Sequence, residues 1–295
     1  MNRTQGLDQA REQGMGELAS LAGLQAVSEQ LARRMAVLQA EQARRQAGMA
    51  VSRAAWKNLV FTGGPGSGKS RAAKAVARTY QELGLLSYGN VIEVAAADLA
   101  STTSRETAML VGEAVRGGGG KVLMISDAHA WHHLPDRGQQ VLRCLSQELT
   151  ESRDRQRDDL AVILAGQAGP LRDLLHASPA LAARFPAVID FPGYTPGQLA
   201  AIFATLAGEA GFTLTDTAAH KAATVLARAE EDHGPGNARL AVRLLNQATA
   251  SQALRVTTAS QPWDPAMLST IQPVDIPGNL HPHDPPADER PGQYL

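Results

Sequence analysis

A parallel α/β domain followed by a small all-helical domain is the fold class that this sequence of 295 residues predicts. Three observations carry it. Short apolar runs at residues 59–61, 91–94, 121–125, 160–165 and 187–191 alternate with helical patterns, as parallel β-α units require, and give a five-stranded sheet covered on both faces. The first run breaks into a glycine-rich turn, GGPGSGKS at residues 63–70, that opens a helix. Beyond Pro192 and Gly193 only helical patterns remain.

Residues 1–16 are polar and glycine-containing, and read as a flexible lead-in. A helical linker is expected over 17–55, because Leu18, Leu21, Leu24, Val27, Leu31, Met35 and Leu38 recur at steps of three and four. Arg33, Arg34, Arg44 and Arg45 are expected on or near its opposite side. The α/β domain is expected over 56–192. Its helices are expected over 71–83, 105–116, 136–154 and 170–176, with Gly117 to Gly120 as a flexible turn. The second domain, 193–258, has helical patterns at 198–208, 217–231 and 239–254. The Pro-, His- and Asp-rich stretch 259–295 has too little apolar content for a packed unit and reads as disordered.

Composition excludes little but directs attention. Lys plus Arg number 28 against 29 Asp plus Glu, so no net field draws in nucleic acid or an anionic membrane. Cys144 is the single cysteine and falls at an apolar helical position; no disulfide framework or thiolate metal cluster can form within the chain. No signal-peptide pattern opens the sequence and no apolar run is long enough for a membrane helix, so a cytoplasmic protein is expected.

The turn at 63–70 has the chemistry of a phosphate cradle. Gly63, Gly64, Pro65, Gly66, Ser67, Gly68, Lys69 and Ser70 contain the G-x-x-x-x-G-K-[ST] pattern, in which backbone N–H groups converge on phosphate oxygens without Cβ atoms in the way. Lys69 then reaches the β and γ phosphates, and the Ser70 hydroxyl binds Mg²⁺. The ligands expected from the loop alone are a nucleoside triphosphate and Mg²⁺. The end of the strand KVLMI is where such a site places carboxylates, and here it reads SDAHAWHH. Ser126 supplies no negative charge. Asp127 can orient water or hold Mg²⁺, but hardly both. His129, His132 and His133 beside Trp131 lack neighbouring ligands at coordinating spacing and read as surface histidines. Arg184, before the fifth strand, is either a finger toward a neighbouring subunit's γ phosphate or a helix-end arginine solvating carbonyls. Arg239 and Arg243 sit one turn apart after a Gly-Pro-Gly loop; one can reach back to phosphates, or both form a solvated face.

The order of these motifs resembles AAA+ proteins of the CbxX/CfxQ type, a family that includes red-type Rubisco activases and the AAA+ ATPases of type VII secretion. The resemblance runs from about Leu18 to Leu254 and rests on LAGLQAVSEQL, NLVFTGGPGSGKS, YQELGLL with VIEVAAADL, GQQVLRCLSQEL, LAVILAG, SPALAARFPAVIDFPGYTPGQLAAIF, GFTLTDTA and GNARLAVRLLNQA. It implies a P-loop NTPase with a helical lid, Walker A at Gly66 to Ser70, an arginine finger at Arg184, a sensor-2 arginine at Arg239, and residues 21–24, Leu24 included, near the adenine. It also implies a homo- or hetero-oligomeric ring, typically a hexamer, acting on a protein client. The departures are specific. Where the family has Asp-Glu at Walker B, this sequence has Ser126-Asp127. After Asp98-Leu99 the family carries an aromatic loop, whereas ASTTSRET is shorter and has no aromatic residue; Gln167 stands where a tyrosine is common. The resemblance implies ATP binding, with either remodelling of a protein partner or a hydrolysis-deficient scaffold or switch working beside an active paralogue.

Overall fold

A computed structural model describes residues 23–50, 57–154, 159–233, 237–259 and 263–280. Expectations for 1–22, 51–56 and the stretch after 280 fall outside these residues. The chain divides after Gly193 into two compact units.

The first unit opens on helix α1 (Gln25–Gln46), which buries Val27, Leu31, Met35 and Leu38. Arg34 departs from expectation. The steps from 27 to 31, 34 and 38 place it on the apolar stripe, where it is 8% exposed. Burial lowers its pKa and the nearby Tyr80 phenol opposes that shift; a weakly hydrated guanidinium tolerates such a place better than an ammonium.

Strand β1 (Leu59–Gly63) leads through the glycine turn into α2 (Lys69–Glu82), and β2 (Val91–Ala95) follows. A short 3₁₀ turn (Ala96–Leu99) joins β2 to α3 (Ser104–Gly117), and β3 (Val122–Ser126) runs into a second 3₁₀ turn (Ala128–His133) before α4 (Pro135–Asp154). The unit closes with β4 (Ala161–Gly166), α5 (Ala168–His176), the single turn α6 (Pro179–Ala182) and β5 (Ala187–Phe191). The five strands form one parallel sheet in the order β2-β3-β4-β1-β5. Leu59 pairs with Ile163 on one side and Ala187 on the other, so the strand that carries the glycine turn lies inside the sheet. The runs LVF, VLMI and AVIL are buried throughout, because helices cover both faces and no polar alternation is needed. Cys144 is buried in this core with Trp131, Leu145 and Phe185.

The second unit is built on α7 (Pro196–Glu209), α8 (Asp216–His233) and α9 (Ala238–Thr257). Thr195 and Gln198 form a reciprocal capping box at the start of α7, which fixes where the helical unit begins. The stretch expected to be disordered from 259 is in part ordered. Residues 263–280 contain the short helix α10 (Pro265–Ser269) and strand β7 (Thr270–Ile271), which pairs in parallel with β6 (Thr213–Leu214). The reason is local. Ile271, Ile276 and Leu280 are buried, and the Asp275 carboxylate, 1% exposed, accepts two 2.8 Å hydrogen bonds from Arg255 of α9. Mean composition concealed three apolar anchors and one buried ion pair. Among the described residues no helix is long and apolar enough to cross a membrane.

Candidate nucleotide site

The site starts from β1. Its side chains are buried in the sheet, and it ends at Gly63, which has φ 153° and still pairs with Phe191 of β5. A Cβ built there would lie 2.5 Å from the Phe191 carbonyl oxygen and 2.8 Å from the Phe191 Cβ, so only glycine lets β1 pass β5 at this point. Gly66 and Gly68 adopt left-handed conformations (φ 70° and 93°), and Gly68 caps the N-terminus of α2. The N–H groups of the first turn of α2 thereby open onto the loop, where an anion is favoured.

Lys69 folds into that loop. Its Nζ donates to the carbonyls of Gly63 (2.8 Å) and Gly64 (2.6 Å) and lies 3.3 Å from Ser67 Oγ, while Ser67 is buried. Pro65 and Ser70 are exposed, at the rim and in the first turn of α2. A cation held on two loop carbonyls, a helix N-terminus, a glycine at a position a side chain would obstruct and two left-handed glycines together fit the phosphates of a nucleotide. For Mg²⁺ the donors are fewer. Ser70 offers a hydroxyl. Ser126 Oγ instead donates to the Val94 carbonyl at 3.4 Å, a contact within the sheet.

The end of β3 is rearranged relative to expectation. Asp127 is in the left-handed conformation (φ 53°), rare for a residue with a Cβ, and its side chain is 79% exposed. His129 turns inward, with its side chain only 18% exposed and Nδ1 3.9 Å from Asp127 Oδ1; it is not a surface histidine. A Cβ at Gly166 would meet His129 N and Nδ1 at 3.0 Å, so the glycine ending β4 makes room for the imidazole. Burial lowers the His129 pKa most; Asp127 opposes this, and His133 and Lys69 add to it. His132 and His133 are exposed, and no group of three or more His, Cys, Asp or Glu residues suited to a metal forms among the described residues. Trp131 is fully buried and donates from Nε1 to the Ala96 carbonyl at 2.8 Å.

The remaining expected residues sit as follows. Leu24 is buried at the start of α1, where its carbonyl accepts from Ser28 Oγ. Gln167 is exposed after β4 and caps α5 without a side-chain bond. Arg184 donates to the Ala180 carbonyl and to Thr150 Oγ1, both within its own unit. Arg239 is exposed in the first turn of α9, in the second unit.

Sequence reasoning missed three polar residues. Asn58, 2% exposed, bridges β4 and Arg184: its Oδ1 accepts from Val162 N at 2.8 Å and its Nδ2 donates to the Arg184 carbonyl at 3.1 Å. Thr62 Oγ1 donates to Asp190 Oδ1 at 2.9 Å, tying the end of β1 to β5. Asn237, with positive φ and 2% exposure, accepts from Tyr194 N at 3.2 Å and secures the start of the helical unit. A polar residue flanking an apolar run was the available signal for Asn58 and Thr62; nothing comparable marked Asn237.

Residues 59–193 match the ATPase family associated with various cellular activities (AAA), and residues 195–286 match the AAA lid domain. Protein CfxQ of Xanthobacter flavus is 30% identical over 259 residues, which cover 87% of this chain and 80% of that protein. The chloroplastic ribulose bisphosphate carboxylase/oxygenase activase of Cyanidioschyzon merolae is 29% identical over 257 residues, 87% of each chain. Among solved structures, the FIGL-1 AAA domain in complex with ADP superposes with a TM-score of 0.57 at 18% identity, covering 87% of this chain and 80% of that one, a likeness of fold. The sheet order, the glycine loop and these matches lead to one assignment: the chain belongs to the AAA+ ATPases of the CbxX/CfxQ type.

Proposed function

We propose that this chain is an ATP-binding AAA+ subunit of an oligomer that hydrolyses ATP slowly and uses its nucleotide state to regulate or remodel a protein partner. The observation that carries the reading is the loop closed around Lys69, with Nζ 2.8 and 2.6 Å from the Gly63 and Gly64 carbonyls and the N-terminus of α2 beside it. Bound ATP with Mg²⁺ would supply a phosphoanhydride whose cleavage or presence distinguishes two states of the subunit. In this reading Gly63 to Gly68 hold the phosphates, Lys69 neutralises them, Ser70 holds the metal, and Leu24 lies beside the base. Arg184 stabilises charge on a neighbouring subunit's nucleotide and Arg239 does so from the lid.

Slow turnover is supported by the end of β3. A group that activates water contributes about 10² to 10⁴ in rate when it is held against the reacting atoms. Asp127 is instead largely in solvent, and Ser126 brings no charge to the metal side. The partner-facing segment supports regulation over threading. Between Leu99 and α3 only residues 100–103 are left, without an aromatic side chain. They are pinned by Ser101 N donating to Thr107 Oγ1 (3.2 Å) and by Glu106 N donating to Thr103 Oγ1 (3.3 Å). A protein partner is supported by the name of the activase relative, whose object is an enzyme. A cytoplasmic site of action accords with the lone cysteine.

The test pairs equilibrium ATP binding with steady-state phosphate release. Tight binding with release far below one turnover per second supports the proposal. Fast release abolished by Asp127→Ala would instead establish a motor with Asp127 as its base.

A further inference from the structure

We infer that Asn58 is a positioning residue for Arg184, fixing the point on the main chain from which the guanidinium must reach a neighbouring subunit. This rests on the reading of Arg184 as a finger acting in trans.

The geometry is confined to one unit. Asn58 immediately precedes β1, the strand that runs into the phosphate loop, and is almost completely buried. A carboxamide presents an acceptor and a donor side by side, and both are used across elements. Oδ1 takes Val162 N of β4 at 2.8 Å and Nδ2 gives to the Arg184 carbonyl at 3.1 Å. Two backbone bonds here are local: Arg184 N donates to the Leu181 carbonyl (2.8 Å) and Phe185 N to the Ala182 carbonyl (3.0 Å). Asn58 adds a tie from outside the turn, binding the Arg184 carbonyl to the residue that leads into the strand carrying the nucleotide loop.

The Arg184 side chain is held differently. It donates to the Ala180 carbonyl and to Thr150 Oγ1, whose own hydroxyl donates to the Ser146 carbonyl at 2.8 Å. A finger that serves a neighbour has to leave Thr150 and Ala180 while its Cα stays in place. A long side chain reaching across an interface magnifies error at its root, and misplacement by about 1 Å costs on the order of 100-fold in rate. Fixing the root is the contribution assigned to Asn58.

Two separable halves of the amide allow a clean test. Asn58→Asp retains an acceptor for Val162 N and replaces the donor toward the Arg184 carbonyl with a second acceptor. Asn58→Ala, which introduces no charge, is the second variant should the aspartate disturb folding; each is first shown to bind ATP as the parent does.

Full-length protein is then mixed in complementary pairs. The finger donor carries Lys69→Ala and keeps Arg184; the nucleotide holder carries Arg184→Ala and keeps Lys69. Single-turnover phosphate release is measured with protein in excess of ATP. The expected result is recovery of release in the mixture, loss of that recovery by at least about 10-fold when the Asn58 substitution is in the finger donor, and no loss when it is in the nucleotide holder. Equal effects in both positions, or no effect in the donor, overturn the inference and leave the finger reading intact. Failure of the parent pair to recover release overturns the finger reading and the inference with it.

Discussion

Asp127 Oδ1 and His129 Nδ1 stand 3.9 Å apart, yet the aspartate side chain is 79% exposed and the histidine 18%. The left-handed turn at Asp127 separates them, sending the carboxylate outward and the imidazole toward the ends of β3 and β4. The one carboxylate at the end of β3 therefore faces solvent.

Asp127→Ala is expected to lower phosphate release by less than about 10-fold, well short of the 10² to 10⁴ that a positioned base contributes. Converting Ser126→Asp together with Asp127→Glu is expected to raise release by about 100-fold. Steady-state release with equal protein concentrations checks both.

His129 makes stability depend on pH in a defined direction. Its folded pKa lies below the ordinary 6.5, because burial outweighs the attraction of Asp127, while Lys69 and His133 push the same way as burial. The unfolded chain therefore binds a proton that the folded chain declines, and stability falls as pH drops through about 6.5 toward the folded value. The midpoint of thermal unfolding should decline over that window in the parent and decline less in His129→Asn.

Gly63→Ala should damage both fold and binding. The new Cβ meets the Phe191 carbonyl oxygen and Cβ, backbone and near-backbone atoms that cannot rotate away. Overpacking of this kind costs roughly 1–3 kcal/mol. Urea unfolding gives the stability loss, and ATP titration of the folded fraction should show weakened affinity.

Asp275→Ala tests the ordered part of the C-terminal stretch. It leaves Arg255, 22% exposed at its side chain, without its carboxylate, and removes the acceptor for Gln272 N at 2.8 Å. Breaking one side of a buried pair costs roughly 3–5 kcal/mol, and the partial exposure of Arg255 puts the expectation at the lower end. Limited proteolysis should then cut within 263–280, sites protected in the parent.

Much of this was legible in the sequence because period and punctuation were strong. All five strands lie where the apolar runs stand, and the α2 start falls at Lys69, two residues before the expected Arg71. The errors have physical causes. The charge of Arg34 points to a solvent face, whereas its spacing from Leu31 and Leu38 puts it on the buried stripe. Average composition over 263–280 points to disorder, while three buried apolar residues and Asp275 decide its state. The inward turn of His129 depends on a left-handed Asp127 and on Gly166 at the end of the neighbouring strand, neither of which a local pattern encodes. Asn58 works through partners more than a hundred residues distant in the chain.

Nucleotide binding through the glycine loop is the claim on which the rest depends, and Lys69→Ala addresses it most directly. Equilibrium titration with a fluorescent ATP analogue is expected to show affinity weakened about 10- to 100-fold, the loss of a charge-assisted contact of roughly 1.5–3 kcal/mol, with the unfolding midpoint of the free protein little changed. Unaltered affinity in a folded Lys69→Ala protein would contradict the account.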